Sequence, residues 1–280
     1  MNITIVFGNK RNNIYKCISN IIDILIKFGI KIFIDERYIL QFNRSDINFT
    51  NYDNLFKISD IILAVGGDGT IIRIAKQASE YDKPVLGINV GRFGFLADVE
   101  QNKLDVLSNL IYGNYKISNR MMLEITIDDQ IVCALNDISI NREISSPIAD
   151  YCISDSNGEI FNYHADGIIA CTPTGSTAYS LSAGGPIVDT NLECIIFTPV
   201  CAHCLSPKSM VLDSKKEFFV DYVLKNNASI GISIDGNIYL TKQKSGYLKL
   251  KKSRKYAKFI ILNENNFCKN INKFINKDFI

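Results

Sequence analysis

The sequence predicts an α/β N-terminal domain built on a Rossmann-like parallel sheet, followed by an all-β, sandwich-like C-terminal domain whose tail returns to the first. Three observations carry that expectation. Strand runs alternate with helical periodicity through residues 1–100, short β-rich runs with hairpin signals replace them beyond about residue 120, and a strand then a helix reappear near the C-terminus. The expected division puts residues 1–100 and about 255–280 in the α/β domain and residues 101–254 in the β-rich one. A chain of 280 residues with 47% hydrophobic content is long enough to bury a sizeable core.

Taken in order, Ile3 to Phe7 reads as a buried strand. Ile14, Ile18, Ile21, Ile22, Leu25 and Ile26 recur at helical spacing, and Gly29 supplies the stop. Lys31 to Ile34 is the second strand. The third, Asp60 to Val65, runs directly into Gly66-Gly67-Asp68-Gly69-Thr70, after which Ile71, Ile72, Ile74, Ala75 and Ala78 give a helix one apolar face. Pro84 to Ile88 is the fourth. The β-rich region then offers Met121 to Ile127, Ile131 to Leu135, Tyr151 to Ser154, Ile160 to Tyr163, Ile168 to Cys171, Phe218 to Val223 and Ile230 to Ile234. Asp128-Asp129, Asn157-Gly158 and Asp235-Gly236 mark hairpin turns between several of them. Phe259 to Leu262 and Asn266 to Asn276 supply the strand and helix of the tail. There are no internal repeats and no low-complexity linker.

Composition excludes several function classes. With 31 basic and 29 acidic residues spread along the chain, the formal charge of +2 makes no electrostatic case for a nucleic-acid or membrane partner. The basic stretch Lys249 to Lys258 alternates with Leu250 and Tyr256, as a solvated strand face and turn would. No apolar run reaches the roughly 18 residues that span a bilayer, and the chain opens on a strand pattern instead of a signal peptide, so a cytoplasmic protein is expected. The eight cysteines are scattered, with Cys133, Cys152, Cys171 and Cys194 in strand-like runs. That pattern suits buried thiols in a reducing compartment. Cys201, His203 and Cys204 cluster but lack the second ligand pair of a structural zinc site, so no metal site is expected in the protein itself.

The chemistry concentrates in glycine-rich and hydroxyl-rich segments. Gly66-Gly67-Asp68-Gly69-Thr70 lies between an apolar strand and an amphipathic helix, where glycines let backbone approach a phosphate and the helix start offers unpaired N–H groups. The order is neither GxGxxG nor a P-loop. A carboxylate beside a transferring phosphate is repelled by it, so Asp68 either belongs to a simple Asp-Gly turn or has another job, taking the proton of an attacking hydroxyl or holding a metal bound to the nucleotide. A second stretch, Gly87 to Leu96, follows the next strand and either carries Asn89 and Arg92 as ligand contacts or forms a structural inter-domain turn. The longest runs from Ala165-Asp166-Gly167 through Thr172-Pro173-Thr174-Gly175-Ser176-Thr177-Ala178-Tyr179-Ser180-Leu181-Ser182 to Pro186. Its hydroxyls and small residues offer little to a core and much to a polar ligand, and Tyr179 offers a stacking face. A loop capping a short helix at Ser176 would explain the capping residue but not the length. Asn136-Asp137, just beyond a strand, could clasp ribose hydroxyls or form a plain turn.

In order and spacing, these motifs resemble those of bacterial NAD kinases, the ATP-NAD kinase family, over nearly the whole chain. Phosphofructokinases, diacylglycerol kinases and sphingosine kinases share something like the glycine turn. The Thr-Pro-Thr-Gly-Ser-Thr-Ala-Tyr-Ser run is far more specific. The resemblance implies phosphorylation of the adenosine ribose 2′-hydroxyl of NAD by ATP, with a divalent cation, Mg, accompanying ATP, in a homodimer or homotetramer. It implies Asp68 as general base, with Gly66, Gly67, Gly69, Arg73 and Asn89 among the ligand-binding residues. Asn136 and Asp137 would meet the adenosine or its ribose, and Thr177, Ala178, Tyr179, Ser180, Leu181 and Ser182 would line the adenine and nicotinamide pockets. His164 and Asp166 would stand at the nicotinamide end, and Asn237 near the ligand. Three positions depart from the family pattern: Asp137 where Glu is commoner, His164 where Arg is frequent, and Asn237 in place of a longer polar residue. The rival readings are a lipid or sphingoid kinase, which the hydroxyl-rich run argues against, and an NAD(P)-binding sensor without catalysis.

Overall fold

The computed structural model describes residues 1–8, 12–91, 94–143, 146–204, 207–225, 228–242, 245–262, 267, 270–272 and 274. The chain divides into two compact units, Met1–Asn119 with Tyr256–Ile280, and Arg120–Lys255.

In the first unit the elements run β1 (Asn2–Phe7), α1 (Asn12–Ile26), β2 (Lys31–Asp35), α2 (Ile39–Phe42), β3 (Asn48–Thr50), α3 (Tyr52–Ile58), β4 (Ile61–Gly66), α4 (Asp68–Glu80), β5 (Val85–Asn89), β6 (Val99–Glu100) and α5 (Leu107–Ile111). The strands lie in the order β5-β4-β1-β2-β3, all parallel, with β6 also parallel to β5. Parallel strands are covered on both faces, and the buried runs of β1, β4 and β5 show it. One face takes α1, whose Ile18, Ile21, Ile22 and Leu25 are each 0% exposed. Gly29, at φ +68, turns the chain out of that helix in a left-handed conformation suited to glycine.

Two features depart from expectation. The short elements between residues 36 and 58 carry no readable period; α3 starts instead on Asn51, whose side chain accepts from the Asn54 amide at 2.9 Å. The division also falls at Asn119, not near residue 100, because Leu104, Leu107 and Leu110 pack into the core of the first unit. The expected tail helix over Asn266 to Asn276 lies largely outside the described residues.

The second unit is antiparallel. Its strands are β7 (Lys116–Ile127), β8 (Gln130–Ala134), β9 (Asp137–Arg142), β10 (Ala149–Asp155), β11 (Gly158–Ala165), β12 (Gly167–Cys171), β13 (Cys194–Val200), β14 (Met210–Asp213), β15 (Phe218–Val223), β16 (Ile230–Ile234), β17 (Asn237–Lys242) and β18 (Gly246–Ile261). One sheet has the order β14-β13-β12-β9-β16-β17; the strands facing it run β11-β10-β15-β18, with β7 beside β18 and β8 beside β7. Phe197 of β13 and Phe218 of β15 meet edge-on at 5.3 Å between the layers, both 0% exposed. The three hairpin signals hold: Asp128, Asp129, Gly158, Asp235 and Gly236 all have positive φ. The Lys249 to Lys258 stretch contains no turn. It lies within one long strand, because Leu248, Leu250, Ser253, Ala257 and Phe259 all turn inward along it. Beyond Lys255 that strand belongs to the first unit, where Phe259 pairs with Val85 of β5.

Candidate functional site

In the first unit the candidate residues gather at the carboxyl ends of β4 and β5. The chain leaves β4 through Gly66, which is in register with Asn89, and the Val90 amide donates to the Gly66 carbonyl at 3.2 Å. Close packing dictates the glycines: a Cβ on Gly66 would lie 2.8 Å from the Thr70 Cβ, and one on Gly8 would lie 2.4 Å from the Thr70 hydroxyl. Gly67 caps α4 through its carbonyl, which accepts from the Thr70 and Ile71 amides at 2.9 and 3.1 Å. Asp68 is then the first helical residue. The Phe95 amide donates to its Oδ2 at 2.8 Å and the Leu96 amide to its Oδ1 at 3.3 Å. The chain comes so near there that a Cβ on Gly94 would stand 2.2 Å from Oδ1.

Asn89, 2% exposed, donates to Glu100 Oε2 at 3.0 Å, so its side-chain amide braces β5 against β6. Arg73 points from α4 to the Tyr52 hydroxyl, to which it donates at 2.9 Å. Gly69, Thr70 and Arg73 share the wall of a cavity of about 610 Å³ with Asp35, Arg37, Tyr38 and Tyr52. Arg92 lies outside the described residues.

In the second unit, the start of β9 is a meeting point. The Asn136 carbonyl accepts from the Thr172 amide at 2.9 Å, and the Thr172 hydroxyl donates to the Leu135 carbonyl at 2.7 Å while accepting from the Gly175 amide at 3.0 Å. A Cβ on Gly175 would lie 2.1 Å from the Asn136 carbonyl oxygen, so only glycine lets the 3-10 turn Thr174–Thr177 sit against this strand. From the other side Asp235, at the β16–β17 hairpin, accepts from the amides of Leu135, Asn136 and Asp137. The Asp137 carboxyl is 4% exposed, and burial together with the Asp235 charge pushes its pKa up to about 7. The Asn136 side-chain oxygen is buried with no hydrogen-bond partner.

The hydroxyl-rich run divides its labour. Ser176 does not cap a helix; its hydroxyl donates to the Pro173 carbonyl at 2.7 Å and accepts from the Val188 amide at 3.0 Å, tying both ends of the run together. Ser180, 0% exposed, pairs with Thr198 at 2.9 Å. Thr177, Ala178 and Leu181 are half-buried, whereas Tyr179 and Ser182 are exposed. His164 and Asp166 lie together at the end of β11 but with separate partners: His164 Nδ1 is 2.5 Å from Asp150, and Arg142 Nε donates to Asp166 at 2.6 Å. His203 packs edge-on against His164 at 5.8 Å. Asn237 is exposed and donates to the Asp235 carbonyl at 3.3 Å.

Comparison with known proteins decides the family. The ATP-NAD kinase N-terminal domain family matches residues 3–115, and the ATP-NAD kinase C-terminal domain family matches residues 135–262. An NAD kinase of Natranaerobius thermophilus is 36% identical over 227 residues, covering 79% of this chain and 79% of that protein. One from Clostridium perfringens is 33% identical over 239 residues, covering 83% and 84%. The chain belongs to the ATP-NAD kinase family. Solved structures share the fold: yeast NADH kinase complexed with NADH superposes with a TM-score of 0.88 at 23% identity, covering 98% of this chain and 87% of that one. An Archaeoglobus fulgidus NAD kinase in complex with ATP gives 0.73 at 24% identity, covering 92% and 93%.

Within this ATP-NAD kinase chain, some residues that shape the site escaped the sequence reading. Asp235 was legible only as half of a hairpin turn, although its carboxylate organises a strand start some hundred positions earlier. Arg142, partner of Asp166, and the pair Arg37 and Tyr52 stand in no motif.

Proposed function

We propose that the protein is an NAD kinase, transferring the γ-phosphoryl group of Mg·ATP to the 2′-hydroxyl of the adenosine ribose of NAD and so helping to set the intracellular balance of NAD and NADP. The observation that carries this reading is the Asp68 carboxylate. It stands at the carboxyl end of β4, inside a glycine turn at a helix start, held in orientation by two backbone amides. A group so placed suits a general base: it takes the 2′-hydroxyl proton as the ribose oxygen bonds to the γ-phosphorus and the bond to the ADP oxygen breaks.

The helix start and the open backbone at Gly67 and Gly69 suit the phosphates, since no Cβ or side chain keeps an anion from the amides. Magnesium accompanies ATP in this reading, since Mg²⁺ is commonly held by one or two carboxylates plus phosphate oxygens. In the second unit, Asn136 offers a buried, unpartnered amide oxygen and Tyr179 an exposed ring, which suits recognition of a ribose and an aromatic base.

A coupled assay for NADP with wild type and Asp68→Asn side by side tests this. The expected result is NADP formation by the wild type and a turnover about 10²- to 10⁴-fold lower in the variant, with NAD affinity little changed. Near-normal turnover in Asp68→Asn would remove the base assignment, and NAD binding without NADP formation by the wild type would favour a sensor. The same reading puts the enzyme in the cytoplasm, where the seven described cysteines, none of them in a disulfide, suit a reducing environment. The family resemblance supports a homodimer or homotetramer, which light scattering distinguishes.

A further inference from the structure

Cys201-Ala202-His203-Cys204 is a motif for which the kinase reading has no use. Two thiols and an imidazole fall short of a structural zinc set, but Cys-x-x-Cys is the spacing of dithiol redox motifs. The pair also stands apart by exposure. Of the seven described cysteines, Cys17, Cys171 and Cys194 are buried and Cys133 and Cys152 half-buried, which leaves Cys201 and Cys204 as the exposed ones. An oxidant must reach a thiol to oxidise it, so reactivity follows exposure.

Both thiols lie just past the end of β13, where the chain bends at Cys201, His203 and Cys204. Cys201 stands at φ +48, in the left-handed region, and the Cys204 amide donates back to the Ala202 carbonyl at 3.0 Å. So tight a curl over four residues suits a disulfide, which needs Cα atoms about 4.4–6.8 Å apart. The curl is tied to candidate ligand residues. The Asp166 amide donates to the Val200 carbonyl at 3.0 Å, the His203 amide donates to the His164 carbonyl at 2.7 Å, and the two imidazoles meet edge-on. Arg142, which holds the Asp166 carboxylate, and the exposed Tyr179 both lie close enough to Cys201 to interact electrostatically with its thiolate. A change in the curl therefore acts on His164, Asp166 and Tyr179 together.

We propose that Cys201 and Cys204 form a reversible redox site: a small-molecule disulfide, of the class that buffers intracellular thiols, oxidises them to an intramolecular disulfide, and the closed form binds NAD less well. The effect on NAD rests on the NAD kinase reading above; the disulfide itself does not. In the first step one cysteine gives its proton to solvent and its thiolate attacks the S–S bond of the reagent, forming a mixed disulfide and expelling half of the reagent as a thiol. The second cysteine, deprotonated in turn, attacks the sulfur of the first, closing the Cys201–Cys204 bond and expelling the other half. The pair loses two electrons and two protons, and the reagent is reduced to two thiols. Closure draws the sulfurs to about 2.05 Å. Because Cys201 and Cys204 bracket His203, the hydrogen bond from His203 to His164 must adjust with them.

The test holds the full chain in glutathione buffers of graded potential and then blocks the remaining thiols by alkylation. The chymotryptic peptide that carries Cys201 and Cys204, separated from Cys194 by cleavage after Phe197, should lose two hydrogens in mass as the buffer becomes oxidising. Dithiothreitol should restore them. Calorimetry should show a Kd for NAD about 5-fold or more higher in the oxidised protein, the low end of the usual coupling between two sites. By reciprocity, saturating NAD makes the pair harder to oxidise, by about 30 mV for a tenfold coupling. The double variant Cys201→Ser with Cys204→Ser should bind NAD as the reduced wild type does in every buffer. A peptide that keeps both thiols or carries only mixed disulfides at the most oxidising potential would overturn the proposal. So would a closed disulfide with unchanged NAD affinity, or an equal loss of affinity in the double variant. Absence of NADP formation alongside redox-dependent NAD binding would instead count against the kinase reading and leave the redox site standing.

Discussion

A carboxyl group buried beside another carboxylate reports its environment through pH. Asp137 has its pKa raised to about 7 from an ordinary value of 3.8, by burial first and by Asp235 second. A proton is therefore bound more tightly in the folded chain than in the unfolded one. The resulting stabilisation is fully present below about pH 4 and is lost as the pH climbs through about 7. Asp137→Asn, which keeps the shape without the charge, should gain on the wild type across that window and hold a constant advantage above it, of the order of 4 kcal/mol at most. Urea unfolding of both proteins at pH 4.5, 6 and 8 measures the gap, and a gap that does not widen with pH would refute the coupling. The burial of Asp137 also explains why the linear sequence left it ambiguous: Asn-Asp reads as a turn, and only the two flanking strands make it a buried strand start.

Among the elements, those with a local cause were legible and those with a remote cause were not. Strand β4, its glycine turn and α4 follow from an apolar run, glycines and a 3.6-residue period within one short stretch. The paired strand β9 carries too few alternating residues to announce itself; it exists because β12 and β16 hydrogen-bond to its two edges. The run around Ser176 was legible as unusual, yet its role as a clasp depends on Val188, twelve residues away. One element-scale consequence can be measured. Gly175→Ala places a Cβ against the Asn136 carbonyl, and backbone cannot yield as a flexible side chain does. The variant should lose about 1–3 kcal/mol of stability and bind NAD more weakly, because the turn Thr174–Thr177 must move away from β9. Calorimetry of NAD binding beside a denaturation curve separates the two effects, and wild-type values in both would show that the turn has room to spare.

For the molecule as a whole, the distribution of thiols separates interior from surface. Cys17, Cys171 and Cys194 are buried, Cys133 and Cys152 half-buried, and Cys201 and Cys204 exposed. Burial pushes the Cys17 thiol up to about 11, which leaves it almost no thiolate at neutral pH. An aromatic disulfide reagent should therefore label Cys201 and Cys204 quickly in the native protein and reach Cys17, Cys171 and Cys194 only on unfolding, as peptide mapping by mass spectrometry would show. Early labelling of Cys17 would contradict the packing of α1. None of the helices among the described residues is long and apolar enough to cross a membrane.

The first unit is also discontinuous along the chain. Residues Tyr256–Ile280 complete what Met1–Asn119 begins, with Phe259 pairing to Val85, Lys258 reaching Asp82 at 2.6 Å, and Ile260 lying in the core with the residues of β1 and α1. On the ribosome, then, the N-terminal sheet emerges first and waits longest. All of Arg120–Lys255 is synthesised before the last strand segment arrives, so the nascent α/β sheet waits through that stretch with Val85 paired to Ile62 of β4 but its β18 partner, Phe259, still unmade. The order of synthesis and the order of completion run in opposite directions, and the unit that carries Asp68 is finished only after the whole of Arg120–Lys255 has been made.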